Sequence, residues 1–160
     1  MVWEQRVVVI VMTTRTVERH RTKCGQYWPE LEGTNVTYGV YNIQSENIEN
    51  YEDFIVTDLK VTHTVTGEER QVCHFQFTSW PDYGTPDSAL SMLQFLQCVR
   101  EKQAELVEHM TPVWDGHTLG PPIVVHCSAG IDRTGTFCTL DIAIRKFEDI
   151  GKVTLTLPLP

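Results

Sequence analysis

Pro122-Ile123-Val124-Val125-His126-Cys127-Ser128-Ala129-Gly130-Ile131-Asp132-Arg133-Thr134-Gly135 is the stretch on which the reading of this chain turns. An apolar run ends in a cysteine, an arginine follows six positions later, and from Thr136 the sequence becomes helix-like. That order predicts a buried central strand over 123–125, a tight loop, and a helix over 134–150 closed by Gly151. A loop that opens a helix presents main-chain N–H groups with no partners inside the helix, and these can converge on an anion. Gly130 lets the backbone close in. Arg133 adds a planar fork able to hold two oxygens at once.

The same field acts on Cys127. A thiol ordinarily titrates at about 8.5, and helix N-termini and nearby cations bring it down to roughly 3.5–7.5. Cys127 is therefore expected to be a thiolate nucleophile, with the Thr134 hydroxyl donating to its sulfur. A leaving phenolate needs a proton, and Asp82, on the turn Trp80-Pro81-Asp82, is the candidate general acid and later the base that activates water. An isolated cysteine after a strand is ordinarily a small buried hydrophobe, and Pro-Asp is ordinary turn chemistry. Cys, five residues, Arg and Thr-Gly behind an apolar strand, with an acid upstream, point instead to phosphate ester hydrolysis through a cysteinyl-phosphate. Ser128, Ala129, Gly130, Ile131, Asp132 and Arg133 would bind the phosphate. No metal or other cofactor is required.

Working outward, 160 residues make one domain by length, and 41% apolar residues suffice for a core. A net charge of −8 argues against nucleic acid or an anionic membrane as the main partner, so affinity for phosphate must come from a local site. The five cysteines (24, 73, 98, 127, 138) are odd in number and irregularly spaced, with no CxxC pair. Neither a closed zinc site nor a disulfide framework is expected, and the thiols read as reduced in a cytoplasmic protein. Val7–Met12 is too short to span a membrane, Glu4 precedes it, and no small-residue cleavage site follows.

Along the chain, Val7–Met12 reads as a buried strand, 13–29 as a polar, basic connection, and 36–43 as a strand. Phe54–Val65 and Arg70–Thr78 alternate around a turn at 66–69 and read as a hairpin, with Val72, His74, Gln76 and Thr78 on one face and Cys73, Phe75 and Phe77 on the other. Asp87 or Ser88 caps an amphipathic helix over 88–109, with Leu90, Leu93, Leu96, Val99 and Leu106 inward. In the second helix Phe137, Leu140, Ile144 and Phe147 face inward. The residues 152–160 carry two prolines and cannot continue a helix. The fold class is α/β.

Residues 126–135 resemble the signature loop of the cysteine-dependent protein tyrosine phosphatases of the non-receptor type, and Trp80-Pro81-Asp82 resembles their mobile acid loop. Lys23-Cys24-Gly25-Gln26-Tyr27-Trp28-Pro29 and Met1-Val2-Trp3-Glu4-Gln5 also look like family segments. The resemblance runs in order from about residue 1 to about 150. It looks most similar to the cytoplasmic subtype whose full-length members carry a lipid-binding Sec14 domain. It implies a twisted mixed β-sheet flanked by helices over a partial catalytic domain, 1–151, followed by an unmatched tail, 152–160. It also implies a closing Trp80–Asp82 loop, supporting roles for His126 and Thr134, a structural role for Cys24, and a Glu4 carboxylate that pairs with Arg133 and orients it. Tyrosine-phosphorylated proteins are the implied partners.

The sequence departs from the family in three ways. The family domain is longer at both ends, so the upstream tyrosine that stacks on phosphotyrosine and the downstream glutamine loop lie outside 1–160. The tail 152–160 matches no family segment. Asp132 stands where the family usually has glycine, and its charge opposes an anion if the carboxylate faces it. These departures motivate two rival readings: a catalytically impaired phosphotyrosine-binding module and, from Asp132 alone, a phosphoinositide phosphatase.

Overall fold

A short β-branched apolar run with no polar residue in it suits a strand covered on both faces, and β1 (Val9–Met12) is buried at all four positions. The computed structural model describes residues 1–81, 84–86, 88–110 and 114–151. After β1 comes a small hairpin, β2 (Val17–Glu18) and β3 (Arg21–Thr22), within what the sequence presents as a plain connection. Its two-residue turn places Arg19 and His20 at φ 47° and 62°, the left-handed geometry of a tight hairpin.

The stretch expected as one strand over 36–43 is two: β4 (Asn35–Tyr38) and β5 (Tyr41–Asn50). Gly39, at φ 58°, makes the two-residue turn between them, a break that the surrounding β-formers obscure in the sequence. The 54–78 region forms the expected antiparallel pair, β6 (Phe54–His63) and β7 (Glu69–Phe77). Helix α1 (Ala89–Met110), strand β8 (Val124–His126) and helix α2 (Asp132–Ile150) complete the order.

The large sheet runs β4-β5-β6-β7-β1-β8. Pairs from β4 to β7 are antiparallel, while β1 is parallel to both β7 and β8. The sheet is thus mixed and flanked by helices, as expected. Cys73, Phe75 and Phe77 join Val9, Val11 and the inner faces of both helices in one core. Phe95 of α1 sits at its centre, with the rings of Phe54, Phe75, Phe77 and Phe137 at 5.2–6.0 Å. On the other face Val72 packs with Ile10, Met12, Trp28 and Leu59.

The Ser88 Oγ accepts the Leu90 N–H at 3.1 Å, capping α1; Asp87 lies outside the described residues. The buried stripe of α1 is Met92, Phe95, Leu96, Val99 and Gln103, which leaves Leu90 and Leu93 exposed, contrary to expectation. Several offsets satisfy a helical period, and the aromatic cluster selects the one that brings Phe95 inward. In α2, Phe137, Leu140 and Ile144 pack on the core, but Phe147 is exposed, because no described element covers the last turn. Gly151, at φ 67°, donates its N–H to the Phe147 carbonyl and ends the helix. Arg100 ties the helices together through Asp141 Oδ1 (2.8 Å) and the Asp141 carbonyl (2.9 Å).

Candidate active site

Strand β8 ends at His126 and delivers Cys127 into a loop whose last residue precedes α2. Gly130 adopts φ 71°, left-handed geometry that glycine takes without strain, and a Cβ there would meet no protein atom within 4 Å. The Gly130 N–H donates to Cys127 Sγ at 3.2 Å, and the Thr134 hydroxyl donates at 3.1 Å. Burial alone pushes the thiol up. The Thr134 hydroxyl and the N–H groups of Thr134, Gly130 and Ile131 outweigh that and hold it below its ordinary value. Cys127 is buried, whereas Ser128–Asp132 are all exposed around it, so the sulfur lies at the base of an open rim of amides.

Arg133 is held firmly, though not by the residue the resemblance implies. Its two terminal nitrogens meet the two oxygens of Glu18 at 2.6 and 3.0 Å, with side chains 14% and 6% exposed. The expectation for Glu4 is corrected: that carboxylate is 75% exposed and pairs with the amino terminus at 3.0 Å. Glu18 is oriented in turn by the Thr14 hydroxyl (3.0 Å) and the Arg15 N–H (3.2 Å). Sequence reasoning missed Glu18 because it treated 13–29 as a connection. The available signal was one carboxylate among Arg15, Arg19, Arg21 and Lys23, in a segment that the sheet carries past the loop.

The acid-loop segment meets the same guanidinium. Arg133 donates to the Pro81 carbonyl at 3.1 Å and lies 5.8 Å from the Trp80 ring centre. Trp80 is buried and donates its indole N–H to the Gly84 carbonyl at 3.2 Å. Asp82 itself lies outside the described residues. Arg15 donates to the Thr78 carbonyl at 2.7 Å and links the β2–β3 hairpin to the start of this segment.

Behind the nucleophile runs a chain of polar groups. His74 pairs in register with Ile10, and His126 with Met12, so both histidines project from one face on the two sides of β1. The Tyr27 oxygen bridges them, 2.8 Å from His74 Nε2 and 2.7 Å from His126 Nε2. His126 Nδ1 lies 3.2 Å from the Cys127 carbonyl, which only accepts, so Nδ1 carries the proton. With that proton on Nδ1, His126 Nε2 can accept from the Tyr27 hydroxyl, and Tyr27 then accepts from His74 Nε2–H. His74 Nδ1 is left with a buried lone pair and has no hydrogen-bond partner among the described residues. Burial, aided by the positive charge His126 can carry, lowers His74 to about 3, so it stays neutral.

A buried cysteine sulfur, loop N–H groups that converge on it and an immobilised guanidinium make a cradle that suits a tetrahedral oxyanion with phosphorus placed over the sulfur. The protein-tyrosine phosphatase family model matches residues 1–157, reaching into the segment 152–160. Human tyrosine-protein phosphatase non-receptor type 9 is 48% identical over 155 residues, covering 97% of this chain and 26% of that protein. Mouse non-receptor type 2 is 38% identical over 164 residues, covering 98% and 37%. Tyrosine phosphatase H2 of Microplitis demolitor bracovirus is 36% identical over 157 residues, covering 96% and 47%. The chain therefore spans less than half the length of each of these relatives. Matched along almost all of its own length, and built around a cysteine–arginine loop, this chain belongs to the protein-tyrosine phosphatase family.

Proposed function

We propose that this chain hydrolyses phosphotyrosine in proteins through a cysteinyl-phosphate. The Cys127 thiolate attacks phosphorus in line. The bond from phosphorus to the tyrosine oxygen breaks, and the departing phenolate takes a proton from Asp82. The amides of 128–133 and the Arg133 guanidinium hold the equatorial oxygens while charge redistributes among them. In the second step Asp82 takes a proton from water, the water oxygen bonds phosphorus, and the sulfur–phosphorus bond breaks to release inorganic phosphate. The Thr134 hydroxyl, already on the sulfur, steadies the thiolate as it departs. His126, held at Nε2 by the Tyr27 hydroxyl, donates from Nδ1 to the backbone carbonyl of Cys127 and so fixes the loop's entry.

The observation that carries this reading is the convergence of Gly130 N–H and the Thr134 hydroxyl on one buried sulfur, beside an arginine locked by Glu18. Tyrosine-phosphorylated proteins would be the substrates and the cytoplasm the compartment. Among the described residues no helix is long and apolar enough to cross a membrane. The test is phosphate release from a phosphotyrosine peptide: Cys127→Ser abolishes it, while Asp82→Ala slows it and leaves binding intact. Equal release by Cys127→Ser and the parent chain would refute the reading. Asp132 favours one second reading, a module that captures phosphotyrosine without turnover. Calorimetric binding of the peptide with no phosphate release would establish it.

A further inference from the structure

Asp132 is the first residue of α2 and is exposed, with no partner for its carboxylate among the described residues. Arg133, its neighbour in sequence, spends its charge on the two oxygens of Glu18. Between Cys127 and Gly135 there is no other base. A carboxylate with no cationic partner among the described residues therefore sits on the rim, in a protein whose net charge of −8 does nothing to offset it. Beside it, Ile131 is 69% exposed. An apolar side chain next to a carboxylate complements a lysine or arginine, whose aliphatic stem packs while its head reaches the acid.

We propose that Asp132, with Ile131, is a specificity-determining element. It selects phosphotyrosine substrates that carry a lysine or arginine beside the phosphotyrosine. It disfavours those flanked by carboxylates or by a second phosphate. The inference rests on the phosphotyrosine reading above. A like charge at the rim raises the energy of an acidic substrate, and an opposite charge lowers that of a basic one, so the two effects add in the ratio. Exposed pairs of this kind are individually weak, which sets the ratio at about fivefold to tenfold at low salt.

The test uses three phosphotyrosine peptides of equal length, flanked by lysine, alanine or glutamate, and compares kcat/KM on the full chain. The expected order is lysine, alanine, glutamate. The spread should shrink as salt shortens the Debye length from about 10 Å at 0.1 M. Asp132→Asn should compress the lysine-to-glutamate ratio to about twofold or less, and Asp132→Lys should invert it. A parent chain indifferent to flanking charge overturns the inference, as does a ratio unchanged in Asp132→Asn. If no peptide is hydrolysed, the catalytic reading fails instead. The charge preference is then read from calorimetric affinities of the same peptides on Cys127→Ser, where an absent or reversed ranking overturns it.

Discussion

Replacing Glu18 with glutamine separates the two carboxylates that compete for the role of holding Arg133. The pair is bidentate, at 2.6 and 3.0 Å, and neither side chain is more than 14% exposed, so solvent screens it little. Glutamine preserves the shape and one acceptor oxygen but gives up a charge-assisted bond and turns an NH2 group toward the guanidinium. Such bonds contribute about 1.5–3 kcal/mol each. Arg133 keeps weaker contacts to the Thr14 hydroxyl (3.3 Å) and the Pro81 carbonyl (3.1 Å), so it is loosened and not ejected. If that energy is lost from the transition state, kcat/KM falls roughly 10- to 150-fold. Glu4→Gln, at a 75% exposed side chain that pairs with the amino terminus, should leave kcat/KM within twofold. The assay is steady-state hydrolysis of a phosphotyrosine peptide, paired with calorimetric binding of inorganic vanadate and with urea unfolding to confirm that both variants fold. Parent-like kinetics and vanadate affinity in a folded Glu18→Gln, or a large loss in Glu4→Gln, would refute the assignment.

Three further outcomes are expected. Thiolate absorbance should show Cys127 titrating below an ordinary cysteine thiol and the signal lost in Cys127→Ser, with the acid limb of activity following that titration. Because folding depresses this thiol, its contribution to stability is complete above the unfolded value of about 8.5. It is lost as pH falls through the folded value, and a thiol that titrates no lower than in the unfolded chain contradicts the site. His74 falls to about 3 in the folded protein against about 6.5 unfolded. Stability from that site is full above about pH 6.5 and is lost as pH drops toward 3, by up to about 5 kcal/mol; urea midpoints of His74→Phe should flatten over that window. Phe95→Ala empties the centre of the aromatic cluster and should cost about 3–5 kcal/mol in urea unfolding; a loss under 1 kcal/mol would mean the helix does not pack as described.

The parts of the site that were legible in the sequence are those in which chemistry and spacing are local. An apolar strand, a cysteine, a glycine turn and a helix start occupy fourteen consecutive residues, 122–135, so their geometry follows from backbone rules. The alternation in 72–77 likewise announces two faces, and the structure fills both as the period requires. Misreadings fall where a local pattern allows more than one answer. The β4–β5 turn hides in a run of β-formers, and the inward stripe of α1 is settled by which side chain meets Phe54 and Phe77.

The sequence alone carries the chemical inventory: a nucleophile, an arginine six positions on, and a buried strand at Val7–Met12, with the mixed sheet implied only by the family resemblance. Tertiary structure alone decided which carboxylate holds the arginine and which groups stand behind the nucleophile. Glu18 and Arg133 are 115 residues apart, and Tyr27 lies 99 residues from His126. No local period or propensity carries that information. It arises because β1 lies between β7 and β8, which brings the hairpin after β1 and the loop after β8 to the same end of parallel strands. Burial there leaves each charge no stable state except against its partner.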